Sequence, residues 1–375
     1  MSVAPYSTII QNGQQPLVIK IGSSLLVQDD QPRVDWMQAL ATELIQRPGP
    51  VVLVSSGAIA LGRTTLGLDR KPTNLAESQA AAAVGQIQLA QRWAETWHQH
   101  GRQTAQVLLT LDDLEDRGRY LNARNTIETL LGQSIVPIIN ENDTVATGEI
   151  RFGDNDRLAA RVAQLTQAEL LVLLSDVDGL HTANPEMDQS ARLIPDVKHI
   201  DASIDALADD GSGTNYGTGG MRSKLTAARI ATAAGCPVLL TSGLGEQAPL
   251  SRYAETGRGT HFAALDQPRI LRKQWLQSLQ QHAGRVHLDA GACAALEQGG
   301  SLLAVGLTAV DGPFERGSLV GLIGPNGPIG QGLSGYSYDE ASRLIGLKSD
   351  AFMDALGYAG RGPIVHRDDL VLFEG

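Results

Sequence analysis

From Pro16 to about Ser242, short apolar runs alternate with longer amphipathic stretches. The apolar runs predict β-strands at Leu17–Ile21, Val51–Ser55, Thr104–Thr110, Ile135–Ile139, Leu170–Ser175 and Pro237–Thr241. The amphipathic stretches predict helices at Val34–Gln46, Leu75–Gln99, Arg119–Leu131, Asp156–Gln167 and Met221–Ala234. This alternation is typical of a mainly parallel sheet connected by crossover helices. We therefore predict an α/β domain.

Beyond about Arg285 the pattern changes to short apolar segments set among Gly, Pro and Asn, which favour turns. The candidate strands there are Arg285–Leu288, Ser301–Val305, Ser318–Ile323 and Leu370–Phe373. This texture predicts a small β-rich second domain. The expected parts are an N-terminal extension (residues 1–15), the α/β domain (16–267), a linker (268–284) and the β-rich domain (285–375).

The composition is that of a packed globular protein. Hydrophobic residues make up 42% of the 375 residues and charged residues 19%, which excludes disorder for the bulk of the chain. The length corresponds to about two to three domains. The net charge of -11 provides no general attraction to nucleic acid or to an anionic membrane. Any phosphate chemistry must therefore use locally placed cations.

Targeting and redox signals favour the cytoplasm. Cys236 and Cys293 match no disulfide or zinc-site spacing, so a reducing compartment is the simpler interpretation. The stretch before Lys20, the first charged side chain, lacks the basic start and apolar run of a signal peptide. No segment has the apolar length of a transmembrane helix. We predict a cytoplasmic protein with no membrane partner.

Small and polar residues follow several predicted strands, at the edge where ligands bind in open parallel sheets. These segments are Lys20–Ser24, Ser55–Gly62, Asn140–Asp143, Gly153–Asp156 and Ser175–Gly179. Small residues let backbone N–H groups approach an anion closely. The amide and carboxylate clusters are suited to hold the amino group of a substrate or to support a metal ion.

A glycine-rich loop, residues 209–220, leads directly into the predicted helix that carries Lys224. Its last residues offer free N–H groups and a helix N-terminus to a phosphate, with the lysine one turn further on. The chain has no GxxxxGK[ST] sequence and no GxGxxG after a strand. Phosphate binding must therefore be of another kind than in P-loop or dinucleotide-binding proteins.

Each feature alone has an ordinary structural interpretation. A lysine in an apolar strand, such as Lys20, is usually an edge residue that faces solvent. Glycine-rich loops are often only turns, and Asn155 or Asp156 could cap the following helix. Trp93 and Trp97, four residues apart, are predicted to pack. The functional interpretation is favoured because several unrelated segments place suitable residues at the same end of one sheet.

Taken together, these segments resemble the motifs of the amino acid kinase family, and within it those of the glutamate 5-kinases. The resemblance is carried by Val18–Ser24, Ser55–Ala60, Asn140–Asp143, Gly153–Asp156 and Gly217–Met221. It implies an αβα sandwich for residues 16–267. Residues from about Arg285 to Asp369 resemble the PUA domain that many members carry at the C-terminus.

The resemblance also implies an activity, the ATP-dependent phosphorylation of the L-glutamate γ-carboxylate at the start of proline biosynthesis. The implied ATP-binding residues are Lys20, Ser175, Asp176, Thr218, Gly219, Gly220, Met221, Arg222, Ser223 and Lys224. The implied glutamate-binding residues are Ser56, Asp143 and Asn155. The family often has a small residue or Ser where this chain has Arg222, and Thr where it has Ser55 and Ser175, which keep the hydroxyl.

The catalytic candidates are Lys20, Lys224 and Asp156. The γ-carboxylate is already ionised at neutral pH and needs no general base, so the reaction chiefly requires cations near the transferring phosphoryl group. Lys20, Lys224 and Mg²⁺ are suited to supply that charge, and Asp156 or Asp176 to orient the lysines or the water shell of the metal. The family further implies a homo-oligomer, feedback inhibition by proline, and transfer of product to glutamate-5-semialdehyde dehydrogenase.

Two alternatives remain open from the residues. The first is another family member, acting on N-acetylglutamate, aspartate, carbamate or UMP. The Asn and Asp clusters favour a free ammonium group, which an acetylated substrate lacks. The second is an RNA-binding protein with a PUA-like tail. Residues 282–375 carry six Lys or Arg against eleven Asp or Glu, so no phosphate-tracking surface is evident and nucleic acid is not an expected partner.

Overall fold

The computed structural model describes residues 6–29, 31–68, 72, 74–146, 154–185, 187–208, 220–245, 248–265, 282–360 and 362–373. These residues fall into two compact units, one within residues 1–114 and 126–268 and the other within 115–125 and 269–375. The predicted linker lies outside the described residues up to residue 281. The boundaries 15/16, 267/268 and 284/285 stay predictions.

The first unit contains one large sheet of mainly parallel strands. In chain order, the strands of this unit are β1 (Leu17–Ile21), β2 (Val27–Gln28), β3 (Gln31–Pro32), β4 (Val51–Ser55), β5 (Thr104–Leu109), β6 (Val136–Glu141), β7 (Leu170–Ser175), β8 (Asp196–Val197), β9 (Val238–Ser242) and β10 (Thr260–Phe262). The large sheet has the order β5-β6-β4-β1-β7-β9-β10-β8, and β10 runs antiparallel to β9. Strands β2 and β3 form a separate hairpin. The six predicted strands are confirmed: three have the predicted ends, and the ends of the other three differ by one or two residues.

The helices within residues 7–256 connect the strands of this sheet, and residues 115–125 among them belong to the second unit. They are α1 (Ser7–Asn12), α2 (Ser23–Leu26), α3 (Val34–Ile45), α4 (Ala58–Thr65), α5 (Leu75–His98), α6 (Leu111–Glu115), α7 (Arg117–Gly132), α8 (Asp154–Leu165), α9 (Ala202–Ala206), α10 (Met221–Ala233) and α11 (Pro249–Thr256). All five predicted helices are present. Helix α1 was not anticipated, and its Ile10 is buried in the main core.

The two faces of the sheet are covered by different helices. Leu17, Ile19 and Ile21 of β1 share a core with α3 and α5. Because side chains alternate along a strand, Lys20 projects from the other face, where α8 packs on β1 and α10 packs on α8. This arrangement is the predicted αβα sandwich.

The crossing of α4 and α5 depends on two glycines. A Cβ atom at Gly85 would overlap the carbonyl oxygen of Ala58 and lie 2.6 Å from the amide nitrogen of Gly62. A Cβ atom at Gly62 would likewise overlap the carbonyl oxygen of Ala81. The helix backbones are thus in direct contact, which fixes α4 and the turn that precedes it against α5.

The second unit forms a separate antiparallel-rich sheet of order β12-β11-β13-β14-β15. Its strands are β11 (Gly284–Leu288), β12 (Leu307–Asp311), β13 (Leu319–Gly324), β14 (Gly327–Leu333) and β15 (Leu370–Leu372), and its helices are Ala290–Glu297, Tyr338–Leu344 and Phe352–Leu356. Short 3-10 turns occur at Ala304–Gly306, Ser349–Ala351 and Arg367–Asp369. The small β-rich C-terminal domain is therefore confirmed.

One strand prediction in this unit was wrong. Ser301–Val305 contributes only an isolated bridge at Leu302, opposite Val365, and the strand follows at Leu307–Asp311. Strand β14 was missed because its glycines suggest turns. Those glycines instead allow close contact, since a Cβ atom at Gly330 would overlap the carbonyl oxygen of Val371 in β15.

A substitution at the α4–α5 crossing tests the packing argument. Gly85→Ala should lower the free energy of unfolding by roughly 1–3 kcal/mol, because the helix backbones must separate to admit the methyl group. Denaturant unfolding measures the change. The control is Gly132→Ala in α7, where a Cβ atom meets nothing within 4 Å; there the better helix propensity of Ala should stabilise by up to about 1 kcal/mol. Equal effects at the two positions would contradict the account.

Candidate active site

Lys20 lies in the middle of the sheet and not at its edge. Strand β1 pairs in parallel with β4 on one side and β7 on the other. The lysine is only 7% exposed, and its Nζ atom lies 2.6 Å from Oδ1 of Asp156. The interpretation of Lys20 as a solvent-facing edge residue is therefore wrong.

Asp156 joins three elements of the fold. It lies in the first turn of α8 and has no solvent exposure. Its Oδ2 atom accepts a 2.6 Å hydrogen bond from the Ser223 hydroxyl and lies 3.7 Å from Nζ of Lys224. Ser223 and Lys224 belong to the first turn of α10. The carboxylate thus connects β1, α8 and α10 at the carboxyl edge of the sheet.

The charges of this cluster depend on each other. Burial opposes ionisation of Asp156, but Lys20 and Lys224 outweigh it and lower the pKa of the carboxyl group. Burial lowers the pKa of Lys224, and the positive charge of Lys20 adds to that effect, whereas Asp156 and Asp176 oppose it. An anionic ligand beside Lys224 would favour its protonated form in the same way as these carboxylates do.

A second cluster at the same edge is made of side-chain amides. Nδ2 of Asn155 donates to the Ser56 hydroxyl oxygen and to Oδ1 of Asn140, both at 2.9 Å. Nδ2 of Asn140 donates to Oε1 of Gln86 at 2.7 Å. The backbone N–H of Glu141 donates to Oδ1 of Asn140 at 2.9 Å and to Oδ1 of Asn155 at 3.2 Å. Asn155 and Asp156, adjacent in α8, therefore face different clusters.

The strand ends beside these clusters are held by further hydrogen bonds. The Ser55 hydroxyl oxygen accepts a 2.8 Å bond from the indole N–H of Trp93, so this tryptophan both packs and anchors the end of β4. Gly57, the residue between Ser56 and α4, has a φ of 106°, a left-handed conformation that favours glycine. At the end of β7, the Ser175 hydroxyl donates to Oδ1 of Asp176 at 2.9 Å.

The structure brings together most of the predicted site residues. Lys20, Asp156, Ser223 and Lys224 form the charged cluster, and Ser56 and Asn155 belong to the amide cluster. The other predicted residues follow the ends of β6 and β7 or start α10: half-buried Asp143 and Asp176, half-buried Met221, exposed Gly220 and exposed Arg222. Thr218 and Gly219 lie outside the described residues.

Gln86 is the polar residue of the site that sequence reasoning missed. It lies on the buried face of α5 with Ala82, Leu89 and Trp93 and is 8% exposed. Its spacing from these apolar residues places it on the core side of an amphipathic helix. A glutamine in that stripe is the signal that could have revealed it.

No group of three or more His, Cys, Asp or Glu side chains suited to hold a metal ion occurs among the described residues. None of the helices in the described ranges has both the length and the apolar character needed to cross a membrane.

Known protein families match both parts of this chain. Residues 15–242 match the model of the amino acid kinase family, and residues 284–356 match that of the PUA domain. Glutamate 5-kinase of Paramagnetospirillum magneticum is 51% identical over 95% of this chain and 97% of its own length. Glutamate 5-kinase of Paracoccus denitrificans is 51% identical over 96% of this chain and 97% of its own length. A carbamate kinase from Giardia lamblia bound to AMP-PNP superposes with a TM-score of 0.47 at 17% identity over 67% of this chain and 99% of its own.

The amino acid kinase family model spans more than half of the chain, and relatives with about 50% sequence identity span nearly all of it. The chain therefore belongs to the amino acid kinase family and carries a C-terminal PUA domain. The two relatives that are 51% identical to it are, in particular, glutamate 5-kinases.

The lowered pKa of Asp156 predicts how stability depends on pH. Its ionised form stabilises the fold above the ordinary Asp pKa of about 3.9, and this contribution is lost as the pH falls through the lower folded pKa. Asp156→Asn should therefore destabilise by roughly 3–5 kcal/mol at pH 7, because two buried lysines lose their partner. The difference from the wild type should shrink as the pH falls below about 4.

Chemical unfolding at a series of pH values provides this measurement. The matched control is Asp35→Asn, which changes an exposed carboxylate in the first turn of α3. It should alter stability by less than about 1 kcal/mol across the range. A difference for Asp156→Asn that stays constant down to pH 2 would contradict the assigned charge of Asp156.

Proposed function

We propose that this chain transfers the γ-phosphoryl group of ATP to the side-chain carboxylate of L-glutamate, which gives L-glutamyl 5-phosphate, the first intermediate of proline biosynthesis. The observation that carries the proposal is the buried pair of lysines around Asp156, adjacent to a cluster of amides at one edge of the sheet. The near full-length similarity to glutamate 5-kinases supports the choice of acceptor.

The lysine cluster is the phosphoryl side of the proposed site. Lys224 stands in the first turn of α10, whose N-terminal N–H groups attract phosphate oxygens. Lys20 approaches the same carboxylate from the centre of the sheet. Two fixed cations stabilise the charge that spreads over the transferring phosphoryl group and the departing ADP. Asp156 holds both cations in place.

The amide cluster is the acceptor side. A γ-carboxylate is ionised at neutral pH, so it attacks phosphorus without a general base. The site must then hold the amino acid in line with the phosphate, and positioned hydrogen bonds of this kind contribute strongly to rate. We assign Ser56 and Asn155 to this task, and Asp143 to the substrate ammonium group, because a carboxylate pairs well with an ammonium.

Mg²⁺ is part of the proposal. Magnesium bound to ATP takes one or two protein carboxylates and keeps several waters. Asp156 is engaged by Lys20, Lys224 and Ser223, whereas Asp176 uses Oδ1 to accept from Ser175. The donor set thus fits a hydrated ion oriented by Asp176. When bound, the ion adds positive charge beside the phosphates.

Regulation and assembly extend the proposal. L-Proline shares the α-amino and α-carboxyl groups of glutamate, so the amide side is the natural place for feedback inhibition. An acyl phosphate is prone to hydrolysis, which favours direct transfer to glutamate-5-semialdehyde dehydrogenase. A homo-oligomer and a cytoplasmic location complete the proposal.

A panel of acceptors tests the activity. ADP release with Mg-ATP should have a kcat/KM at least about a hundredfold higher with L-glutamate than with N-acetyl-L-glutamate, L-aspartate or UMP, because a site built around a free ammonium and a γ-carboxylate rejects analogues that leave its polar groups unpaired. A reaction without acceptor gives the background hydrolysis of ATP. Preference for any other acceptor would overturn the proposal.

Two substitutions test the division of the site. Lys224→Met should lower kcat by about 10²–10³-fold, because the cation acts mainly on transition-state charge. Asn155→Ala should instead raise the KM for glutamate by about tenfold and leave the KM for ATP nearly unchanged. The control is Arg229→Met, which removes an exposed arginine of α10 that pairs with Asp205. A collapse of ATP affinity in Asn155→Ala would mean that the two sides are assigned the wrong way round.

A further inference from the structure

Gln86 ends a chain of amide hydrogen bonds that starts at Ser56. The order is Ser56, Asn155, Asn140 and Gln86, which come from four separate segments of the fold. Asn140 is 2% exposed and Gln86 is 8% exposed, so neither can exchange its partner for bulk water. The chain therefore leads from the proposed acceptor site into the core of the domain.

The direction of this chain is fixed by its two anchors. A backbone N–H can only donate, so the N–H of Glu141 requires the Oδ1 ends of Asn140 and Asn155 to face it. The Nδ2 group of Asn140 then needs an acceptor on its other side, and Oε1 of Gln86 supplies it at 2.7 Å. Rotation of the Asn140 amide would break the hydrogen bonds at both of its ends.

The direction of these hydrogen bonds determines whether the Ser56 hydroxyl can donate a hydrogen bond to a ligand. Both hydrogens of Nδ2 in Asn155 are used, one by Asn140 and the other by the Ser56 oxygen. The Ser56 hydroxyl therefore accepts from the protein, and no residue in the described part of the chain accepts its hydrogen. That hydrogen is free to be donated to a carboxylate oxygen. If the amides were reversed, Oδ1 of Asn155 would face Ser56 and take the hydrogen.

Gln86 also lowers the stability of the fold through one of its own polar groups, which a residue kept only for packing would not do. Its Nε2 group is buried and has no hydrogen-bond partner among the described residues. A buried donor without an acceptor is unfavourable. Methionine fills nearly the same volume without that penalty, although it removes the acceptor for Asn140. These two effects on stability oppose each other.

We propose that Gln86 is a positioning residue, which fixes the amide chain in the direction that keeps the Ser56 hydroxyl available as a donor to the carboxylate of the acceptor substrate. This inference rests on the proposed function, since it takes Ser56 as part of the acceptor site. Gln86 acts only through Asn140 and Asn155 and does not touch the substrate.

The test is a comparison of Gln86→Met with Gln86→Glu. Gln86→Met removes the acceptor for Asn140 and should raise the KM for L-glutamate about tenfold, the effect of losing one hydrogen bond to a charged group. The kcat and the KM for ATP should stay within about twofold. Gln86→Glu keeps an acceptor oxygen in either protonation state, so its KM should stay within about threefold of the wild type.

A double-mutant cycle separates positioning from general damage to the fold. In a Ser56→Ala background the hydroxyl is absent, so Gln86→Met should change the KM for glutamate by less than about twofold. Gln91→Met, an exposed glutamine one turn further along α5, is the control and should behave as the wild type. Thermal unfolding identifies the folded variants, and Gln86→Leu replaces Gln86→Met if the latter does not fold.

Three results would overturn the inference: an unchanged KM in Gln86→Met, a Gln86→Glu variant as impaired as Gln86→Met, or equal effects with and without the Ser56 hydroxyl. Failure of the proposed function is seen separately, as a wild-type protein that does not use glutamate. The same variants are then measured with the acceptor that the wild type prefers, and the same pattern is expected.

Discussion

The burial of the Asp156 charge is the constraint on which the site depends. A carboxylate with no solvent exposure stays ionised only if cations and hydrogen bonds replace its water. Here Lys20 arrives from the centre of the sheet and Lys224 with Ser223 from the start of α10. The position of α10 relative to β1 is therefore set by the same interaction that places two lysines at the carboxyl edge. Stability and chemistry are coupled in this cluster, because the loss of Asp156 leaves two buried lysines without this counter-charge.

The same constraint brings two lysines together within an acidic chain. Lys20 and Lys224 both lie beside Asp156 at the edge of the sheet, although the protein carries a net charge of -11. In the proposed site, these fixed lysines are the groups that face the phosphates of ATP. The amide cluster beside it is neutral, which suits a substrate that carries its own charges. The two clusters meet at α8, where Asn155 and Asp156 face different partners. A single helical turn thereby aligns the proposed acceptor with the proposed phosphoryl donor.

The sequence predicted the α/β order because apolar strands and amphipathic helices have distinct periods. It also predicted that Lys20, Asn155, Asp156 and Lys224 lie at the same edge of the sheet, since parallel strands bring their carboxyl ends together there. It could not predict that Lys20 lies at the sheet centre, because strand order follows from long-range packing and not from local pattern. The position of Gln86 in the apolar stripe of α5 is a local signal, but its partner Asn140 is 54 residues away, so its role was not predicted. In the C-terminal unit, the glycines of β14 favour turns locally, so the strand was missed. In the structure they allow close pairing of the strands.

The central claim is that this edge transfers a phosphoryl group to the side-chain carboxylate of glutamate. Trapping the product with hydroxylamine tests it most directly, because acyl phosphates react with hydroxylamine to give hydroxamates whereas phosphate monoesters do not. With Mg-ATP and L-glutamate, the account predicts γ-glutamyl hydroxamate in an amount equal to the ADP released. Release of ADP without hydroxamate, or a hydroxamate on the α-carboxyl group, would contradict it.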